Sequence, residues 1–199
     1  ISERQTYKYH VEREISDQWG SPLTFGAFKI RIPYFYKSKI TKNERIGKDD
    51  YRDITKEVIN SDHLDFAPSK LETISDVNVE KRYRGIYEVP IYRTQIESTF
   101  VFDPINTKAF GPEFTNINTS EVEVILGLMP GKEINNLKVE LNGEPVKVSS
   151  LDNQLVFKVS NFDNKKPLTI KLRLDYAGTK ELSFYPTGKE SKFTMKSNW

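Results

Sequence analysis

Apolar residues alternate with polar ones in short runs through most of this chain, and this period of two limits the fold more than any other feature. The clearest run places Leu168, Ile170, Leu172 and Leu174 on one side of a strand, with polar or charged neighbours between them. Such alternation is typical of strands that bury one face. Similar runs occur at 28–32, 122–126, 137–141, 155–159 and 182–195. We therefore predict a mainly β fold with antiparallel β-sandwich regions, because helices do not separate these strands.

The start of the chain has a different period and predicts one N-terminal α-helix. Its apolar residues recur every four positions, at Tyr7, Val11, Ile15 and Trp19. That spacing produces one apolar stripe along a helix, and Gly20 supplies a C-terminal cap. We expect the helix to occupy residues 1–20.

A segment rich in Pro, Gly, Asn and Thr, residues 104–118, is the best candidate for a boundary within the β region. It divides a first β subdomain, 21–110, from a second β-sandwich subdomain, 111–199. Because the chain stops abruptly at Trp199, we expect the second subdomain to be truncated at its C-terminus.

One part of the first subdomain lacks a clear period. The stretch from Lys37 to Asp53 is dense in charge and contains Gly47, which predicts a surface loop. The next stretch, Ile54 to Leu64, fits either a short helix or a strand.

Composition excludes several classes of function. Lys and Arg number 30 against 28 Asp and Glu, a net charge of +2, which argues against a nucleic-acid partner. The chain has no Cys and only two His, so disulfides, thiolate chemistry and most zinc sites are excluded. His63 lies between Asp62 and Asp65, but one imidazole beside flexible acids is more typical of a polar loop. We expect no catalytic residues, no metal site and no cofactor.

A small basic and aromatic cluster, Arg82, Tyr83 and Arg84, precedes Gly85. Two interpretations fit this cluster. In the first, it binds an anionic lipid or glycan. In the second, its long side chains cover apolar sheet surface while their charges reach water. Gly85 indicates a bulge or a close backbone approach inside a strand. Three successive aromatic residues, 34–36, cannot all face one core, so we expect two to be packed and one exposed.

The same region resembles a known family. Residues 83–92 read Y-R-G-I-Y-E-V-P-I-Y, which resembles the R-R-G-I-Y-E-V-P-V-Y signature of the CreD family, also called Cet or colicin-tolerance inner-membrane proteins. Further similarities are I-S-E-R at 1–4, W-G at 19–20, I-P-Y at 32–34, F-Y-P-T-G at 184–188 and S-N-W at 197–199. The chain departs from the family at 126–131, where L-G-L-M-P-G replaces the usual S-D-x-R-G-I segment.

The resemblance implies a location more than a chemistry. It implies a periplasmic β domain of a bacterial inner-membrane protein whose transmembrane helices lie outside this chain. Proteins of the family are associated with envelope stress, β-lactam response and colicin tolerance. It supplies no catalytic residues. The helix at 1–20 is then membrane-proximal, with Arg4 and Lys8 near lipid headgroups.

Two functional hypotheses remain open. The first is a non-enzymatic interaction or sensor module whose partner is an envelope protein or a cell-wall component. The second is a domain that binds cell-wall glycan or hydrolyses it through two carboxylates about 5–9.5 Å apart. The oligomeric state stays open. The candidate interaction surface comprises Arg82, Arg84, Gly85, Tyr87, Glu88 and Tyr34.

Overall fold

Strands dominate the computed structural model, which describes residues 3–47, 51–128, 133–152 and 154–198. The predicted mainly β fold with one N-terminal helix is confirmed. The elements in chain order are α1 (Glu3–Trp19), β1 (Leu23–Phe25), β2 (Lys29–Arg45), β3 (Tyr51–Phe66), β4 (Lys70–Arg84), β5 (Tyr87–Phe102), a 3₁₀ helix (Thr107–Phe110), β6 (Phe114–Ile117), β7 (Glu123–Ile125), β8 (Ile134–Leu141), β9 (Glu144–Pro145), β10 (Ser149–Leu151), β11 (Gln154–Lys158), β12 (Leu168–Thr179), β13 (Leu182–Phe184) and β14 (Glu190–Ser197).

Two six-stranded sheets form the body of the molecule. The first sheet has the order β10-β11-β7-β2-β3, with β6 also paired to β2, and the second has the order β14-β4-β5-β12-β8-β9. Most pairs are antiparallel, as predicted, but β14 pairs with β4 in parallel, and so does β1 with β13 in a small third sheet. Both large sheets take strands from either side of residue 110. The division into two β subdomains stays a prediction.

The main core lies between the two large sheets. On β12 the alternating residues predicted to be apolar and buried, Leu168 to Leu174, all face this core. Across the layers, the ring of Phe28 stacks on that of Phe100 with centroids 4.4 Å apart. Burial of one face of each sheet against the other is the main source of stability in such a fold.

The predicted surface loop at Lys37–Asp53 is wrong. β2 continues through it to Arg45, and β3 begins at Tyr51 and includes the undecided stretch up to Leu64. The two strands pair over sixteen residues. Because neither face of the far part of this hairpin is covered, charged residues occupy both faces and the alternation of a half-buried strand is absent. Residues 48–50 lie outside the described ranges.

The predicted helix is confirmed, and α1 forms a third layer on the outer face of the second sheet. Val11 and Ile15 are buried against Val89 and Ile91, which project from β5 away from the main core. Tyr7 belongs to the same stripe but is 58% exposed, because the helix extends toward the end of the sheet there. No helix within the described residues is long and apolar enough to cross a membrane.

Candidate interaction surface

Five of the six residues predicted to form an interaction surface lie together at one end of the hairpin made by β4 and β5. Arg84 pairs with Tyr87, so Gly85 and Ile86 form a two-residue turn. Gly85 has φ +62°, and glycine at the first central position is what a type II′ turn requires. The prediction of a bulge inside a strand is therefore corrected to a tight turn. We call residues 81–87 the hairpin tip.

One face of the hairpin tip supports α1. The guanidinium of Arg84 pairs with the carboxylate of Glu14 at 2.5 Å. The hydroxyl of Tyr87 donates to the carbonyl of Arg4 at 3.3 Å. The guanidinium of Arg82 lies 4.6 Å from the ring centroid of Trp19, a cation–π contact. These contacts show that three of the predicted residues hold the helix against the hairpin.

The other face of the same hairpin carries a small polar cluster. The carboxylate of Glu88 lies 2.8 Å from the ammonium of Lys81 and accepts from the hydroxyl of Tyr83 at 3.0 Å. These hydrogen bonds lower the pKa of Glu88 and raise the pKa values of Lys81 and Tyr83. All three side chains are exposed, so the cluster presents a fixed pattern of charge to solvent.

The turn itself presents an apolar side chain. Ile86 is 76% exposed, more than any other exposed large hydrophobic residue in the described ranges. Tyr83 beside it is 66% exposed. The hairpin tip contains three cationic side chains and no carboxylate. It therefore combines aromatic, apolar and cationic groups within seven residues.

Tyr34, the sixth predicted residue, does not join this surface. It lies on β2 in the first sheet, where its ring centroid is 4.8 Å from that of Phe110. Burial is the main cause of the raised pKa of Tyr34. All three aromatic residues at 34–36 are partly buried, so the expectation of two packed rings and one exposed ring is wrong.

The hairpin of β2 and β3 projects from the opposite end of the molecule. The amide of Leu23 donates to the hydroxyl of Tyr92 near the hairpin-tip end of β5. Farther along, Phe28 stacks on Phe100 near the other end of β5. Tyr34 on β2 then lies against Phe110, which follows the end of β5, so β2 runs in the same direction as β5, away from the hairpin tip. Its continuation carries residues 37–47 and 51–59, which we call the arm.

The periodicity of the sequence did not predict the arm. From Ser38 onward its two strands pair only with each other among the described residues, over a length of about 27 Å. Ile40, Ile46, Tyr51 and Ile59 are exposed along it. The signal that would have revealed it is the concentration of β-branched residues at 54–59, which favours a strand over a helix.

A pocket of about 540 Å³ lies near the base of the arm and contains two carboxylates, Asp65 and Asp103. Arg31 donates to Asp65 at 2.8 Å and Lys29 donates to it at 2.7 Å. The bond from Arg31 is the main cause that lowers the pKa of Asp65 to about 2. Asp103 accepts from the hydroxyl of Ser69 at 2.8 Å. A carboxylate with such a low pKa stays ionised, so Asp65 does not suit the role of general acid.

His63 lies exposed on β3, with its imidazole 3.8 Å from the carboxylate of Asp62. Within the described ranges, no group of three or more His, Cys, Asp or Glu side chains is placed to hold a metal ion.

Comparison with known proteins agrees with the motifs at the hairpin tip. The family model described as inner membrane protein CreD matches residues 1–199. Comparisons with curated proteins and with solved structures gave no match. The match covers the whole chain, including the signature around the turn at Gly85, and the resemblance seen in the sequence is confirmed. The chain belongs to the CreD family of inner membrane proteins.

Proposed function

We propose that this chain is the periplasmic domain of a CreD-type inner-membrane protein and acts as a non-enzymatic interaction module in the envelope stress response. Its partner is a protein of the envelope, and the arm is the element that binds it. The observation that carries the proposal is the two-stranded part of the arm, which has free backbone edges and no covering layer among the described residues.

The energetics of a two-stranded ribbon support this role. A hairpin without a third strand or a packed face is only marginally stable in water. β3 is the edge of the first sheet, so its outer N–H and C=O groups are available along the strand. An extended segment of a partner would add a strand there, with backbone hydrogen bonds giving affinity and alternate side chains giving specificity.

The charge state of Asp65 excludes it from one of the two roles that glycan hydrolysis would need in this pocket. Hydrolysis of a glycan needs one carboxyl group that keeps its proton and one that does not. Asp65 is ionised beside two cations, and no hydrogen bond or charge raises its pKa toward that of a carboxyl group that keeps its proton. The apolar wall made by Phe66 and Ile105 favours binding of a sugar ring as the second candidate activity of this pocket.

Site-specific photo-crosslinking in bacterial envelopes tests the main proposal. A photoreactive residue replaces Thr55 on the arm and, as a matched control, Lys171 on the exposed face of β12. We expect saturable crosslinking from position 55 to one protein, identified by mass spectrometry, and none from position 171. Equal crosslinking from both positions, or none from either, would refute a role for the arm.

A second measurement separates strand addition from other modes of binding. A synthetic peptide of the crosslinked partner segment is added to the 199-residue chain, and amide hydrogen exchange is followed. We expect slower exchange in residues 51–59. Unchanged exchange there, combined with a thermal shift by muropeptides, would favour glycan binding at the pocket.

A further inference from the structure

The two ends of the molecule differ in the chemistry of their tips. The hairpin tip, 81–87, contains three cations and no carboxylate of its own, and each cation pairs with a carboxylate outside it. In the sequence, the stretch from 45 to 51 that joins β2 to β3 contains two cations and two carboxylates and is neutral. Ile86 and Tyr83 are the most exposed apolar and aromatic side chains of the hairpin tip, at 76% and 66%. Tyr7 and Tyr9 on α1 add two more exposed rings near that end.

This composition matches the boundary between lipid and water. Tyrosine concentrates at the level of the headgroups, where its ring is apolar and its hydroxyl is hydrated. Cationic side chains next to such rings are attracted to anionic headgroups. Arg82 pairs with Glu80, and Lys81 and Arg84 pair with Glu88 and Glu14, yet the side chains of Lys81 and Arg84 keep 56% and 50% exposure. Donor groups on both remain accessible to phosphate oxygens.

The positions of α1 and β14 indicate which end of the molecule would face a membrane. α1 begins beside the hairpin tip, since the carbonyl of Arg4 accepts from Tyr87. β14 runs parallel to β4 toward the same end, where the side chain of Asn198 accepts from the amide of Val79 at 2.7 Å. Both ends of the described chain therefore lie on the side of the hairpin tip, and the family is one of inner membrane proteins.

We propose that the hairpin tip, together with the first two turns of α1, docks on the surface of an anionic bilayer and inserts Ile86 among the headgroups. The tight turn at Gly85 and the contacts of α1 with Arg84 and Tyr87 hold this surface in place before it meets the membrane. This inference goes beyond the proposed function. It also fails separately from that proposal, because the arm lies at the other end of the molecule.

Fluorescence from single labelled positions tests the insertion. Because the chain has no cysteine, Ile86→Cys and Ile46→Cys each give one site for an environment-sensitive fluorophore. Vesicles of phosphatidylglycerol mixed with phosphatidylcholine are compared with vesicles of phosphatidylcholine alone. We expect a blue shift at position 86 on the anionic vesicles, weakened by added salt, and no shift at position 46. A shift at position 46, or no shift at position 86, would overturn the proposal.

Co-sedimentation with the same vesicles gives a second readout without a label. Ile86→Asp places a charge at the apolar contact, and its side chain is exposed enough that we expect the folded state to be unchanged by circular dichroism. We expect about tenfold weaker binding to anionic vesicles, from loss of apolar burial and of net positive charge. Ile46→Asp, the matched control on the arm, should bind like the unmodified chain. Equal binding by both variants, or an equal loss in both, would contradict docking through the hairpin tip.

Discussion

Two pairs of buried hydroxyl groups join β4 to β5 and give a test of how this hairpin keeps its register. The hydroxyls of Thr73 and Ser98 are 2.8 Å apart, and those of Ser75 and Thr94 are also 2.8 Å apart. All four side chains are at most 3% exposed and face the main core. A shift of one strand by one residue would turn its two hydroxyls to the outer face and separate both pairs.

Removing one member of a pair takes away the hydrogen bond that it makes with its buried partner. We expect Ser98→Ala to destabilise the chain by about 1–3 kcal/mol, the cost of an unsatisfied buried hydroxyl at Thr73. Thr73→Val should cost about 1 kcal/mol, because the hydroxyl of Ser98 also lies 3.4 Å from the carbonyl of Glu72 and can donate to it. The double variant replaces both polar groups by apolar ones and should lose less than the sum, with a coupling of about 1–2 kcal/mol.

Urea unfolding followed by circular dichroism measures these differences. For a chain of this length, each kcal/mol also lowers the melting temperature by about 2–4 °C. The Ser75–Thr94 pair supplies a second cycle with the same geometry at another position. If the single losses simply add in both double variants, the hydroxyl pairs do not act as hydrogen-bonded units and the reasoning is refuted.

Three further predictions concern turns and charges. Gly85 and Gly127 both have φ +62°. A Cβ at Gly85 meets open space, so Gly85→Ala should lower the free energy of unfolding by about 1 kcal/mol in thermal unfolding. A Cβ at Gly127 would lie 2.1 Å from a backbone oxygen, so Gly127→Ala should lower it by at least about 3 kcal/mol. Arg84→Glu should speed amide exchange in α1, because the new carboxylate repels Glu14. The charge-swapped double variant with Glu14→Arg should restore protection. We expect each change to correspond to under about 1 kcal/mol, because both groups are half exposed. The low pKa of Asp65 contributes stability that is present above its ordinary pKa of 3.8 and is lost as pH falls through about 2. At neutral pH, Asp65→Asn should therefore lower the free energy of unfolding by about 1 kcal/mol after solvent screening, seen as a lower melting temperature, and this difference should close between pH 4 and pH 2.

The fold could be predicted wherever one face of an element is buried. β12 shows a period of two because its core face packs between the sheets, and α1 shows a period of four because Val11 and Ile15 pack on β5. The arm could not be predicted in this way. Both of its faces meet solvent, so residues such as Lys39 and Glu57, which pair on one face, carry no periodic signal.

The candidate surface could be predicted in part for a similar reason. The turn at Gly85 and the charges around it are local features that a sequence shows. The contact of Arg82 with Trp19, and that of Arg84 with Glu14, join residues far apart in the chain. No local pattern in the sequence reveals such contacts. The two arginines were therefore predicted to form an interaction surface, whereas in the structure they contact α1. Tyr34 was misplaced because an aromatic run does not show which sheet will cover it.

The two long hairpins differ in support more than in length. β2 and β3 pair over sixteen residues and β4 and β5 over fifteen, but among the described residues only the second hairpin has a helix packed against its far end. The arm instead carries Lys37, Lys39 and Lys42 along its strands. Lysines on an exposed edge oppose random pairing with other strands. These three lysines lie on β2, so they protect that edge of the arm. Residues 51–59 of β3 contain two cations and two carboxylates, which leaves the β3 edge open to a partner strand of complementary charge.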